Sequence, residues 1–226
     1  VGPELGLSLP GASVVCSASL TCTHGAPGAL AFGIGATEMQ HVAATQTVVQ
    51  RKPRTMRIRF EGALQRGVGA KDLILHGSGR LGTARGTGYA IEYAGPAIEA
   101  MEMEARLTLC NLSVELGAKF GLVAPDDKTF AYLQGRPMAP SGERWEQALA
   151  QWRLLRSDEG AAFDREITLE ASAVEPQVTW GTSPQDVLPV GGRIPRLEDE
   201  PDPQRREALR AAPEYMGLAG GGAIEG

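Results

Sequence analysis

The sequence predicts an α/β protein, a layered sheet with helices on both faces, and three observations carry that prediction. Short strand-like runs alternate with longer helix-like ones along most of the chain. Between Arg54 and Glu61, apolar Met56, Ile58 and Phe60 alternate with Arg57, Arg59 and Glu61, which is the two-residue period of a half-buried strand. After Ser141, Trp145, Leu149 and Trp152 recur at helical spacing on one face.

Taken in order, Ser13 to Cys16 reads as a buried strand, and Pro27 sits where the first turn of a helix tolerates a missing N–H. A second helix is expected from Thr37, because Thr37 and Gln40 have capping-box spacing and Met39, Val42 and Ala43 then share one side. A short helix starts at Ala70 and should weaken after Leu75, where His76-Gly77-Ser78-Gly79 has low helix propensity. Gly86-Thr87-Gly88 is a turn leading into a strand from Tyr89 to Tyr93. Residues 97–118 read as helix, Ser141 as the N-cap of another, and Ile167 to Ala171 as a strand. Beyond Gly191 the composition shifts to Pro, Arg and Glu. Residues 1–190 are therefore expected to form the α/β domain, and residues 191–226 a linker holding one short helix near Gln204 to Ala211.

A chain of 226 residues, 42% hydrophobic and 22% charged, can bury a full core, which argues against disorder throughout. With 27 acidic and 22 basic residues the net charge is -5, and this balance gives no general attraction to nucleic acid. The basic cluster Arg51, Lys52, Arg54, Arg57 and Arg59 reads as a solvated strand face. No run approaches the roughly 18 apolar residues that span a bilayer, so no membrane association and a cytoplasmic location are expected. Cys16, Cys22 and Cys110 are too few and too irregularly placed for a disulfide framework or a metal-binding pattern. The chain opens on Val1 and closes on a glycine-rich run, and it is expected to be a fragment.

Several segments together carry a resemblance. They are Val15 to Gly35 (VCSASLTCTHGAPGALAFGIG), Ala44-Thr45-Gln46-Thr47, Gly86-Thr87-Gly88, Leu109-Cys110-Asn111, Gly121-Leu122-Val123-Ala124-Pro125-Asp126, Asp158-Glu159-Gly160-Ala161 and Val178-Thr179-Trp180-Gly181-Thr182. In this order they resemble the aconitase superfamily, most closely its isopropylmalate isomerase (3-isopropylmalate dehydratase) large subunits. The resemblance implies a layered α/β/α sheet of the aconitase type, incomplete at both ends. It implies a hydro-lyase that isomerises 2-isopropylmalate to 3-isopropylmalate in leucine biosynthesis, by dehydration and rehydration at a 4Fe-4S cluster. It also implies a small hydroxy-acid substrate and, as partner, the small subunit of isopropylmalate isomerase. An iron with an open coordination position can polarise the departing hydroxyl without a strong acid, which suits that chemistry.

The same resemblance makes Asn111 and Glu115 the catalytic candidates. Four residues apart on an expected helix, they should project from one face, although a polar pair at a helix end has the same spacing. Ser19, Thr21 and His24 are the substrate-binding candidates; hydroxyls at a strand end can hold a carboxylate, and they can equally cap a helix. Ala18 and Leu20 stand where the family has Asp and His, and neither can carry a proton. Tyr89 and Arg85 are further departures beside the Gly-Thr-Gly turn. The cluster's cysteine ligands are expected outside this chain, so the chain alone is expected to be inactive. The alternative is a non-catalytic interaction or structural relative of the family.

Overall fold

The computed structural model describes residues 1–82, 84–218 and 220–224, and the side chains of these apart from Gln204, Arg205 and Ala208; the last two residues of the expected linker lie outside the described residues. The elements in chain order are α1 (Gly2–Leu5), β1 (Ser13–Cys16), β2 (Leu30–Gly33), α2 (Ala36–Thr45), β3 (Arg54–Glu61), α3 (Ala70–Leu81), β4 (Tyr89–Ala94), α4 (Pro96–Ala100) and α5 (Met103–Asn111). They continue with β5 (Phe120–Val123), α6 (Asp127–Leu133), α7 (Glu143–Trp152), β6 (Arg165–Glu170), β7 (Gln177–Thr179), β8 (Val187–Pro189) and α8 (Pro203–Met216).

A four-stranded parallel sheet, in the order β5-β4-β3-β6 and flanked by helices, establishes the α/β class. β3 occupies the span its period predicts. Met56, Ile58 and Phe60 point into one core with Ile91 and Tyr93 of β4, Leu73 and Ile74 of α3, and Leu109 of α5. Each such aliphatic side chain contributes about 1.5–3 kcal/mol on burial. The second face is polar, as the alternation of Arg57 and Arg59 with the apolar residues predicts. It carries Arg57, Arg59 and Glu92, and Arg57 bonds Glu166 at 2.7 Å with its guanidinium 4.5 Å from the Phe163 ring centre. Ser157 donates to Glu92 across the same face. A cleft of about 790 Å³ is left there.

Other expectations are corrected locally. Pro27 does not start a helix, because Gly28 follows at φ 89°, a left-handed conformation that ends any helical path; the chain turns into β2, which pairs in parallel with β1. β1 is not buried, as Ser13 and Cys16 at its two ends are exposed. The N-cap of α2 is Gly35 and not Thr37, and Glu38 Oε2 accepts from the Gly35 N–H at 2.9 Å. α3 runs past its glycines to Leu81, because the Ser78 hydroxyl donates to the Ile74 carbonyl at 2.9 Å within a buried face, and packing outweighs propensity. α7 begins at Glu143 after Gly142, not at Ser141. α8 runs longer than the expected short helix, and Leu209 and Ala212 pack with Trp180, Leu188 and Ile194 against the β7–β8 hairpin. Among the described residues no helix is long and apolar enough to cross a membrane.

The expected helix over residues 97–118 is broken in two places. Met101 is extended, at φ −67° and ψ 142°, which separates α4 from α5, and α5 then tightens into a 3-10 turn at Leu112–Leu116. Arg106 accounts for the first break. Its side chain is 0% exposed, and it donates to Asp126 through two bonds of 2.8 and 2.7 Å, to the Met101 carbonyl at 3.2 Å and to the Glu99 carbonyl at 3.1 Å. An unbroken helix would tie up those carbonyls. Asp126 also accepts from the Thr129 N–H and so caps α6. Burial alone would raise the Asp126 carboxyl, but the Arg106 and Thr129 hydrogen bonds more than offset this and hold it below its ordinary value of 3.8.

Because the folded-state value is depressed, this contribution to stability is fully present above 3.8 and is lost as pH falls through the lower folded value. Asp126→Asn leaves a buried guanidinium unpaired and should cost about 3 kcal/mol in urea denaturation, and the acid-dependent part of the loss should vanish in the variant. An unchanged midpoint would contradict this role for the pair.

Candidate active site

The 3-10 turn Ser19–Gly25, which carries Ser19, Thr21 and His24, packs on the end of α5, which carries Asn111. The turn is built by its own side chains. Thr21 Oγ1 donates to the Ala18 carbonyl at 2.6 Å, Cys22 Sγ to the Ser19 carbonyl at 3.7 Å and Thr23 Oγ1 to the Leu20 carbonyl at 2.7 Å. Three successive residues thus bond three positions back, which favours the tighter i+3 winding over an α-helix.

Two close approaches seat the turn. A Cβ on Gly25 would lie 1.8 Å from the Gly121 carbonyl oxygen of β5, and a Cβ on Gly33 would lie 2.7 Å from the Ala18 carbonyl oxygen, so only glycine fits at either place. From α5, Asn111 Nδ2 donates to Thr23 Oγ1 at 2.8 Å, and Cys22 Sγ donates to the Asn111 carbonyl at 3.3 Å. Below this seat the Tyr93 and Ser113 hydroxyls share a buried 2.9 Å hydrogen bond.

Asn111 therefore reaches the turn, and its Oδ1 and second Nδ2 hydrogen have no partner among the described residues. Glu115 does not stack above it as two residues of one α-helix would. The chain changes to 3-10 winding at Leu112, and Glu115 stands exposed beside a 380 Å³ cavity that Thr179 and Thr182 also line. It remains within electrostatic reach of Cys22, whose thiol is raised first by burial and, to a smaller degree, by the Glu115 charge.

Ser19 is exposed, and with Ser17 it lines a cavity of about 910 Å³. Thr21 is 3% exposed, with its hydroxyl turned to Ala18. His24 is half-buried and shares a 2.5 Å hydrogen bond between Nδ1 and Ser8 Oγ; burial lowers its pKa. Ser19 thus faces that cavity and Asn111 bonds the same turn through Thr23, while Thr21 bonds within the turn and His24 bonds Ser8. Leu20 is 48% exposed at its tip.

The cysteines differ in kind: Cys16 is exposed, while Cys22 and Cys110 are buried, and burial pushes the Cys110 thiol far up. Among the described residues no three His, Cys, Asp or Glu side chains converge to hold a metal.

Sequence reasoning missed Arg106, Gly25 and Gly121. The two glycines lay inside quoted motifs, and the signal that could have marked them was their lack of a side chain beside bulky neighbours. Tyr89 has a clear place, since the Arg54 guanidinium lies 4.1 Å from its ring centre.

Gly25→Ala should dislodge the turn and cost about 1–3 kcal/mol, read as a lower thermal midpoint with faster amide exchange at Cys22 and Thr23. Unchanged exchange would contradict the close approach. In the native chain a thiol reagent at pH 8 should modify Cys16 promptly, and Cys22 and Cys110 only on unfolding; rapid reaction of all three would overturn the burial assignment.

The profile of the aconitase family (aconitate hydratase) matches residues 1–226. A protein of Bradyrhizobium diazoefficiens named 3-isopropylmalate dehydratase large subunit 1 is 60% identical over 226 residues, covering 100% of this chain and 47% of that relative. The chain thus spans about half the length of the curated relative it matches. Matched along its whole length by that profile, the chain belongs to the aconitase family.

Proposed function

We propose that this chain is a segment of the large subunit of a hydro-lyase that isomerises 2-isopropylmalate to 3-isopropylmalate by removing and re-adding water, in cytoplasmic leucine biosynthesis. The observation that carries this reading is the Asn111–Thr23 hydrogen bond, which joins the end of α5 to the turn bearing Ser19. In this reading the Ser19 hydroxyl donates to a substrate carboxylate, while Thr21 and His24 hold the turn in shape. Asn111 presents its remaining amide atoms to the substrate hydroxyl or the departing water. Glu115, an exposed carboxylate beside the 380 Å³ cavity, accepts a proton. A 4Fe-4S cluster, when bound, supplies the Lewis acid for the departing hydroxyl, and its ligands come from other residues of the enzyme. The small subunit completes the site.

Ala18 and Leu20 replace the Asp and His of the family pattern, and losing a positioned acid or base costs about 10²–10⁴-fold in rate. The chain alone should therefore show no turnover. A second reading, a non-catalytic interaction relative, is favoured by Leu20, an aliphatic side chain 48% exposed at the tip of the turn.

A chimera separates the two readings. These 226 residues replace their counterpart in the Bradyrhizobium relative, which is assembled with its small subunit, and isopropylmalate turnover is followed. The expected result is a rate about 10²-fold or more below the parent, recovered at least tenfold by Ala18→Asp with Leu20→His. Parental rates without those changes, or no recovery in an assembled and cluster-loaded chimera, would overturn the first reading.

A further inference from the structure

On the polar face of the sheet, Arg57 stands in the middle of a row that crosses three strands. Its register partners are Glu92 on β4 and Glu166 on β6, and neighbouring strands lie about 4.8 Å apart. The guanidinium bonds Glu166, while its Nε–H is buried and has no acceptor among the described residues. Glu92, the other carboxylate in register with it, is bonded by the Ser157 hydroxyl instead. A buried donor left without an acceptor keeps its full desolvation penalty, so the row holds one donor too many for the way its carboxylates are shared.

Ser157 belongs to residues 156–163, which cross this face from β4 to the start of β6 without joining a helix or strand. The segment is tied down at few points. Ser157 bonds Glu92, Arg156 bonds Glu99 at 3.0 Å, and the Phe163 ring lies against the Arg57 guanidinium. The Arg156–Glu99 pair is exposed on both sides and holds little. Between these points, residues 158–161 form a turn closed by the Ala161 N–H on the Asp158 carbonyl, with Gly160 at φ 80° and open space where a Cβ would stand. Among the described residues no backbone hydrogen bond joins that turn to the sheet. Ser157 and the turn form one wall of the 790 Å³ cleft, which Glu92, Arg57, Arg106 and Asp126 also line.

We propose that residues 156–163 are a strap with two positions, switched by Glu92. With the strap shut, the Ser157 hydroxyl donates to Glu92. With it open, Glu92 turns to the neighbouring Arg57 Nε–H, the latch is lost, and the turn at 158–161 lifts away from the cleft. Each position satisfies one of two donors with the same carboxylate, so one charge-assisted hydrogen bond is exchanged for another and both positions are populated. The switch stands beside the Arg106–Asp126 pair that fixes α5.

The test reads both ends of the switch in the whole chain. Cleavage after Glu159 by a glutamate-specific protease, followed by mass spectrometry, reports the open strap, and the NMR resonance of the Arg57 Nε–H reports the donor. S157A should raise cleavage about tenfold, as expected when a hydrogen bond to a charged group is lost, and should move the Nε–H proton downfield as it gains a carboxylate. E92A should raise cleavage as much and leave that proton in place, because no carboxylate arrives. R156Q should raise cleavage no more than about threefold. S157T, which keeps the hydroxyl, should match the native chain in both readouts.

A strap freed in S157A with the Nε–H proton unmoved would show Ser157 to be a plain tether and would overturn the switch. Unchanged cleavage in S157A, a downfield shift in E92A, a larger effect of R156Q than of S157A, or an S157T that behaves like S157A would overturn it as well.

Discussion

A guanidinium taken wholly out of water must be paired, and the fold is arranged around that requirement at Arg106. Its side chain sits at 0% exposure, where an uncompensated charge would cost several kcal/mol. The carboxylate of Asp126 and the carbonyls of Met101 and Glu99 supply the compensation, and each constrains the chain. The two carbonyls enforce the break between α4 and α5. Asp126 ties the start of α5 to the loop leaving β5 and starts α6 by accepting from Thr129. With one end of α5 fixed in this way, the other end, Asn111, is delivered to a defined place.

That place is the turn Ser19–Gly25, and its construction separates scaffold from chemistry. The bonds that wind it come from Thr21, Cys22 and Thr23, and the contacts that seat it come from Gly25, Gly33 and Asn111. No side-chain atom of Ala18 or Leu20 takes part in those hydrogen bonds. The bonds that wind and seat the turn therefore do not depend on the side chains at these two positions.

The legible parts of the fold were those that local pattern determines. β3 could be read because half-burial imprints a two-residue period, and Trp145 and Trp152 marked α7 because one face of that helix is buried. The breaks at Met101 and Leu112 were illegible, because they answer to Asp126 and to the turn, groups distant in sequence. The α3 glycines misled because packing against the sheet overrode propensity. Asn111 was singled out through its motif, but its hydrogen bond to Thr23 was not foreseen. Glu115 was expected on one helical face with Asn111, and nothing local announces the switch from α to 3-10 winding that separates them.

The account stands or falls on the turn and α5 acting as one unit through Thr23 and Asn111. A double-mutant cycle with Thr23→Val and Asn111→Ala, read by urea denaturation, measures that coupling directly. A buried-edge hydrogen bond between them should give a coupling energy of about 1 kcal/mol. Effects that simply add, within about 0.3 kcal/mol, would show that the two residues do not hold the site together.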